Sequence, residues 1–369
     1  MASMLLVSMI RRSHRKENRT MKKCLIVVLG LAIIFAFAAC GGPTQADKTA
    51  KGSNQKVAGN TVYNLKIGTY NPEDSADGVA AKAFKAYAEE HSNGRIMVDV
   101  YHNSVLGNAK TQIEGVTMGS QDFFIPGMEL LTSWDPMFNV PQMYFLFDSV
   151  DHLRAFYNSD MFAKTIANLE SQNILLMDKT WAGQQGPFRV LVSKDPITSY
   201  KDIVGDRVRV YDSKAQYAIW EAFEASTYVV TYSEIYMALQ QGMIETFEVP
   251  FNVVVSNSYC DIAKYITKFE SYYQIYNIIG NKKKVETLPE DLQKVLYDAA
   301  TFAMQAYTKN VQEDLQSDLD YLTNKLGVTY YDKMDYTPFR KKMQPVYDQL
   351  IQEGVIPKGV VEYVRGLRY

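Results

Sequence analysis

The sequence predicts a two-lobed α/β protein. Three observations carry that expectation. Strand, helix, strand, helix, strand patterns succeed one another between Tyr63 and Ile125. A second set of strand patterns begins near Phe188, with arginines set among valines. The chain has 369 residues, and roughly 310 remain once a leader and a polar tether are set aside, too many for one simple core and comfortable for two lobes.

The leader comes first. Met21-Lys22-Lys23 is a short basic start, and Cys24 to Ala39 is apolar apart from one glycine. With the small residues Ala38 and Ala39 at its end, this reads as a secretory signal over residues 1–39. The apolar run is about 16 residues, short of the roughly 20 that a bilayer requires. Small residues directly before Cys40 match the pattern at which bacterial lipoproteins are cleaved and lipidated, so Cys40 is the expected anchor. The other reading is an ordinary signal with a chance cysteine. Phe37 departs from the pattern, where leucine is commoner. Residues Met1 to Thr20 are either an extended basic region or an upstream start that the cell does not use. Gly41 to Asn60 is polar and rich in Lys, Gly, Thr and Gln, so residues 40–60 read as lipid anchor and flexible tether.

The folded chain follows. Tyr63, Leu65, Ile67 and Thr69 alternate with polar or small residues, which predicts a strand. Asp77 to Glu90 is a helix stopped by Asn93-Gly94. Ile96, Val98 and Val100 alternate again. Lys110 to Met118 is a second helix, ended by Gly119. Phe123-Phe124-Ile125 is a strand closed by Pro126-Gly127, and the order implies a parallel sheet. Ser149 and Ser159 cap two further helices, and Ile174 to Met177 is a strand covered on both faces. In Arg207-Val208-Arg209-Val210 the valines take one face and the arginines the other. Ser233 is expected to cap the helix bearing Ile235 and Leu239. Tyr272 to Tyr276 reads as a strand crossing back to the first lobe. Thr287-Leu288-Pro289-Glu290 has capping-box spacing, and the leucine and alanine spacing from Leu292 to Leu326 fits one helix of nearly 40 residues, about 58 Å long, or two helices broken near Asn310.

Composition narrows the function. Lys+Arg is 39 and Asp+Glu 41, a formal net charge of -2, with no basic excess of the kind a nucleic-acid partner requires. Of the three cysteines, Cys24 leaves with the signal and Cys40 takes the lipid. Cys260 then stands alone and reads as a buried small residue. No H-E-x-x-H, G-x-S-x-G, P-loop, glycine fingerprint or cysteine cluster occurs, so no enzyme is expected. His91, His102 and His152 fall in separate predicted elements and read as surface residues. The 26 tyrosines supply wide apolar faces with polar tips.

The stretch from Trp181 to Pro250 says most about function. Arg189 precedes Pro196-Ile197; Asp202 to Val210 runs D-I-V-G-D-R-V-R-V; Glu234 to Gly242 runs E-I-Y-M-A-L-Q-Q-G; and Glu248-Val249-Pro250 follows. In that order these segments resemble the extracytoplasmic solute-binding proteins of tripartite ATP-independent periplasmic (TRAP) transporters, of the C4-dicarboxylate-binding type. Weaker similarity runs from about Tyr63 to the C-terminal helices. The resemblance implies a periplasmic-binding-protein-like fold of two lobes, with an inter-lobe cleft, a hinge and a long helix spanning both. It implies lobe I from 61–186 plus about 275–314, and lobe II from 187–274 plus about 315–369.

The resemblance also implies a site. The ligand carboxylate would lie on Arg209, with Arg189 adding a second contact. A guanidinium fork suits a carboxylate. Glu248 would orient Arg209 or meet a ligand hydroxyl, Trp181 would stack on the ligand or pack the hinge, and Tyr70 and Asn71 stand where α/β sheets place ligands. The partners implied are an organic acid, the TRAP membrane subunits and the membrane itself. No cofactor is expected, though some relatives bind a cation with the acid. This chain has Thr246-Phe247-Glu248-Val249-Pro250 where many relatives have Gly-x-Glu-Asn-Pro, and Asn108-Ala109 where an acidic residue is usual. Both departures point to a less hydroxylated monocarboxylate or keto acid. The competing readings are a binding protein for an ATP-driven importer and an envelope sensor or enzyme.

Overall fold

The structure is a computed structural model that describes residues 56–57, 60–186, 188–313 and 315–369. The signal segment, Cys40 and nearly all of the tether lie outside the described residues. Among the described residues no helix is long and apolar enough to cross a membrane.

The chain enters through strand β1 (Tyr63–Gly68), which inserts Leu65 and Ile67 into the core. Helix α1 (Ala76–His91) starts at Ser75, whose hydroxyl oxygen accepts from Gly78 N, and it stops where Asn93 and Gly94 turn left-handed at φ 54° and 73°. Strand β2 (Ile96–Tyr101) follows. Helix α2 (Ala109–Met118) is capped by Asn108 and closed by Gly119 at φ 81°. Strand β3 (Phe123–Phe124) leads through two 3-10 turns to α3 (Val150–Tyr157) and α4 (Asp160–Ser171). Ser149 and Ser159 cap these helices as expected, accepting from His152 N and Phe162 N. Strand β4 (Ile174–Leu176) is buried throughout.

The crossing to the second sheet runs through β5 (Gly183–Gln184). The second sheet takes β6 (Arg189–Ser193), β7 (Arg207–Val210), β8 (Ser226–Val229), β9 (Thr246–Pro250) and β10 (Tyr265–Lys268). Helices α5 (Lys214–Ala222) and α6 (Ile235–Gln240) fall between them. The return crossing is β11 (Ile275–Tyr276), antiparallel to β5. Gly183 is required there, because a Cβ would collide with the Tyr276 carbonyl oxygen. Strand β12 (Ile279–Asn281) rejoins the first sheet, and α7 (Lys282–Glu286), α8 (Glu290–Glu313) and α9 (Leu315–Leu326) follow. Strand β13 (Thr329–Tyr331) completes the second sheet before α10 (Thr337–Gln352) and α11 (Val360–Gly366).

The first sheet has the order β2-β1-β3-β12-β4 and the second β8-β7-β9-β6-β10-β13. β1 pairs in parallel with β2 and β3, as alternating strands and helices imply, while β12 is antiparallel to both neighbours because it enters after the return crossing. One apolar cluster joins β1 and β2 to α1 and α8 through Leu65, Phe84, Ile96 and Leu296. Another covers one face of the second sheet with Val190, Val192, Phe247 and Ile266. The third binds the lobes together, running from Phe124, Leu153 and Ile174 to Leu191, Val208, Trp220 and Phe339. Helix α8 clasps the crossing: Gln184 N donates to Thr308 Oγ1 at 2.8 Å, and Tyr307 stacks on Tyr276 with centroids 5.0 Å apart.

Three expectations are corrected. Ser233 does not cap α6; it lies inside a 3-10 turn over Tyr232–Glu234 whose N-cap is Thr231, two residues earlier, and the Thr231 hydroxyl donates to Glu234 Oε2 at 2.6 Å. Thr287 closes α7 rather than opening α8, and its hydroxyl donates to Lys284 O at 2.7 Å. His152 is buried, because α11 and the C-terminus fold over it: its Nε2 lies 2.8 Å from Val364 O and its ring stacks on Tyr369. α8 is described to Glu313 and α9 from Leu315, and residue 314 between them lies outside the described residues.

Candidate functional site

Strands β7, β9 and β6 are adjacent in the second sheet, and they carry Arg209, Glu248 and Arg189 in that spatial order. Register and parity fix where each side chain goes. Phe247 pairs with Arg209, Glu248 with Leu191 and Pro250 with Arg189. Val208 and Val210 pack into the cluster that joins the lobes, so Arg209 leaves by the opposite face, the side of Phe247. Arg189 and Glu248 share a face, the lobe-joining side, with Leu191. The two guanidiniums therefore leave the sheet in opposite directions. Both remain within electrostatic range of Tyr211 and Tyr272, and both lie toward the end of the sheet where β7 and β9 finish and β6 begins.

Their surroundings differ in kind. Arg189 is compensated. Its Nε donates to Glu248 Oε1 at 2.7 Å, its Nη1 donates to Gln274 Oε1 at 2.8 Å, and its guanidinium lies 4.2 Å from the Tyr272 ring centroid. Glu248 is filled in turn, because Ser271 Oγ donates to Oε1 and Tyr144 OH donates to Oε2. Arg209 is not compensated. It is 8% exposed, its Nε donates to Val230 O at 2.9 Å, and Tyr211 lies under it at 5.7 Å. Among the described residues it forms no ion pair. Burial lowers its pKa from the usual value, and the groups acting against burial are tyrosines, not a carboxylate. A buried cation without a counter-ion is costly in an empty site and favourable when an anion arrives.

The other residues singled out in the sequence fall as follows. Tyr70 follows β1, and its hydroxyl pairs with that of Tyr276 on the return crossing. Asn71 turns inward on Asp77, donating from Nδ2 to Oδ1 at 3.2 Å and from its backbone N to Oδ2 at 3.4 Å. Trp181 is 2% exposed and stacks on Tyr157 at 4.3 Å. Its φ of 55° is left-handed, a rare conformation for a bulky residue. Asp178 holds the bend, accepting from Thr180 N at 3.0 Å and Ala182 N at 2.7 Å, while Arg154 Nε donates to Trp181 O at 3.1 Å. A surface depression of about 650 Å3 behind this bend is lined by Arg154, Thr308 and Lys309 and holds none of these residues.

Sequence reasoning missed Glu129, Gln274 and Tyr144. Glu129 is the second residue of the 3-10 turn Met128–Leu131, and its carboxyl lies against Gly127, where a Cβ would collide with it. Gln274 Nε2 donates to Glu129 Oε1. Gln274 thereby links Glu129 of the first lobe to Arg189 of the second. Nothing local marks these residues, since each partner is distant in the chain. Cys260 is buried, and burial pushes its thiol up to about 12. Among the described residues no cluster of His, Cys, Asp and Glu is arranged to hold a metal ion.

The comparisons with known proteins agree with this architecture. The profile of bacterial extracellular solute-binding protein family 7 matches residues 67–353. The 2,3-diketo-L-gulonate-binding periplasmic protein YiaO of Escherichia coli is 25% identical over 296 residues, 80% of this chain and 88% of that one. A TRAP periplasmic solute-binding protein from Roseobacter denitrificans, solved with bound L-galactonate, is similar with a TM-score of 0.72 at 25% identity, covering 82% of this chain and 98% of that one. Another from Chromohalobacter salexigens, solved with bound D-glucuronate, gives a TM-score of 0.73 at 24% identity, covering 81% and 97%. The match to the family takes in most of the chain, which therefore belongs to bacterial extracellular solute-binding protein family 7 and is a solute-binding protein of the TRAP type.

Proposed function

We propose that this protein captures a small organic acid anion outside the cytoplasm, holds its carboxylate on Arg209, and delivers it to TRAP membrane subunits for ion-driven uptake. The observation that carries the reading is the buried, uncompensated Arg209 beside an Arg189 already matched to Glu248. The pair of arginines divides the work. Arg189 is held rigid by Glu248 and Gln274 and presents what remains of its donor set. Arg209 has its charge to give. A carboxylate arriving there gains a charge-assisted bond in a site with little water, where such bonds are strong. Tyr70 and Asn71 border the acid from the first lobe, and contacts from both lobes let the ligand favour the closed form. Trp181 fixes the crossing rather than the ligand, in keeping with its burial against Tyr157.

Relatives bind 2,3-diketo-L-gulonate and L-galactonate, which supports an organic acid as the class. The expectation of a keto acid or sparsely hydroxylated acid stands within it. Lipid on Cys40 keeps the protein at the membrane face where the transporter lies. The test is Arg209→Ala in titration calorimetry. Affinity should fall at least about 30-fold while the circular dichroism spectrum stays that of the wild type. Unchanged affinity would reject the assignment.

A further inference from the structure

We propose that Glu129 is a specificity-determining residue of this cleft: it donates a proton through Oε2 to a carbonyl or hydroxyl oxygen of the ligand, so the acid taken is one that carries a second oxygen function. The inference rests on the reading of the cleft given above and names the ligand chemistry within it.

The geometry begins at the carboxyl. Oε1 is occupied by Gln274 Nε2, and that same glutamine accepts from Arg189. Glu129 is thus two hydrogen bonds away from the cationic end of the cleft. Oε2 is buried and, among the described residues, has no hydrogen-bond partner. A buried polar atom left in that state costs free energy unless a ligand satisfies it. The hydroxyl of Tyr157 is also buried without a partner among the described residues, and it stands within electrostatic range of Glu129. Two unsatisfied buried groups within electrostatic range of each other are suited to one acceptor oxygen.

The protonation state decides between an oxygen and an amine. Arg189 is the cation that acts on Glu129. From α3 comes Tyr157, from the end of β7 Tyr211, and from the segment before β11 Tyr272. Tyr70, Tyr276 and Tyr307 reach it from β1, β11 and α8. Burial raises all of these tyrosines, so they stay neutral hydroxyls. Burial likewise raises Glu129 from 4.5 to about 7, opposed by its own backbone N–H, Arg189 and Gln274. A ligand ammonium at Oε2 would add a second cation beside Arg189. A neutral oxygen accepting from the carboxyl adds none.

The sign follows. If the complex uses protonated Glu129, affinity is full below pH 7 and falls as pH rises through it, with one proton taken up on binding at alkaline pH. The test is calorimetry of the whole protein with L-galactonate, 2,3-diketo-L-gulonate, D-glucuronate and pantoate, beside unsubstituted pentanoate, in two buffers of different ionisation enthalpy. The strongest-binding hydroxy or keto acid should bind roughly 20-fold more weakly at about pH 8.5 than at about pH 6.5, with close to one proton taken up at the higher pH. Glu129→Gln, always neutral and still a donor, should bind that acid with affinity that does not change with pH, and Glu129→Ala should lose affinity at both. Flat wild-type affinity, Glu129→Gln binding no better than Glu129→Ala, or pentanoate bound as tightly as the oxygenated acids would each overturn the inference. Arg209→Ala separates the two claims. If it loses binding while Glu129→Gln keeps the wild-type pH profile, only the role of Glu129 fails. If Arg209→Ala binds normally, or no acid binds the wild type, the reading of the cleft fails too.

Discussion

Replacing Glu248 by alanine should destabilise the protein sharply, and the structure allows the size to be worked out. Glu248 and Arg189 are ion-paired at 2.7 Å with side chains 5% and 8% exposed. Removing one partner of a buried pair costs about 3–5 kcal/mol, because the other charge stays buried and unmatched. Two contacts soften the loss. Gln274 Oε1 still accepts from Arg189 at 2.8 Å, and the Tyr272 ring beneath the guanidinium contributes about 1–2 kcal/mol whether or not the carboxylate is present. Tyr144 retains Gln216 Oε1 at 3.3 Å as an acceptor, whereas the hydroxyl of Ser271 loses its carboxylate. The expected loss is therefore near the low end, about 3 kcal/mol. Urea unfolding at neutral pH, followed by far-ultraviolet circular dichroism, reads it directly. The double variant Arg189→Met/Glu248→Leu removes both charges and should be more stable than Glu248→Ala. Arg209→Met, which removes a cation with no counter-ion among the described residues, should change stability by no more than about 1 kcal/mol. If Glu248→Ala unfolds within about 0.5 kcal/mol of the wild type, Arg189 does not depend on it and the division of labour between the two arginines is wrong.

The carboxyl of Glu129 also bears on stability. Its folded value of about 7 lies above the ordinary 4.5, so the protein favours the protonated form. Wild-type stability relative to Glu129→Gln should be full below about pH 4.5 and fall by roughly 3 kcal/mol as pH rises through 7; a constant difference across that range would contradict the burial argument. Cys260, with its thiol pushed up to about 12, should resist alkylation in the native protein and react in urea. Labelling of the native protein at the rate of a free thiol would show that the site opens. Cys40→Ser should release the protein from membranes on fractionation, and retention of that variant would remove lipidation from the account.

Where the deciding interaction is local, the sequence shows it plainly. Period-two alternation at Leu65 and Ile67 and at Val208 and Val210 found strands and their buried faces. Ser149 and Ser159 announced helix starts because a cap needs only its own next turn. Ser233 and Thr287 misled for the same reason: each is near a helix start, but Thr231 and the short α7 claim the geometry first. The antiparallel β12 and the burial of His152 depend on chain that returns from far away. The site divides in the same way. Arg209 was visible as a polar residue in an apolar strand. Its lack of a counter-ion among the described residues, the pairing of Arg189 with Glu248, and the reach of Gln274 to Glu129 are facts of assembly across sheets and lobes. Trp181 was marked by its place between lobes, but nothing in its neighbours foretold a left-handed backbone clamped by Asp178.

The most direct test of the central claim is a crystal structure of the protein with its tightest-binding acid. The ligand carboxylate should lie on the Arg209 guanidinium at about 2.7–2.9 Å, the separation of a charge-assisted pair, with the Nε bond to Val230 O intact. An acid seated elsewhere in the cleft, with Arg209 still lacking any anionic partner, would contradict the account.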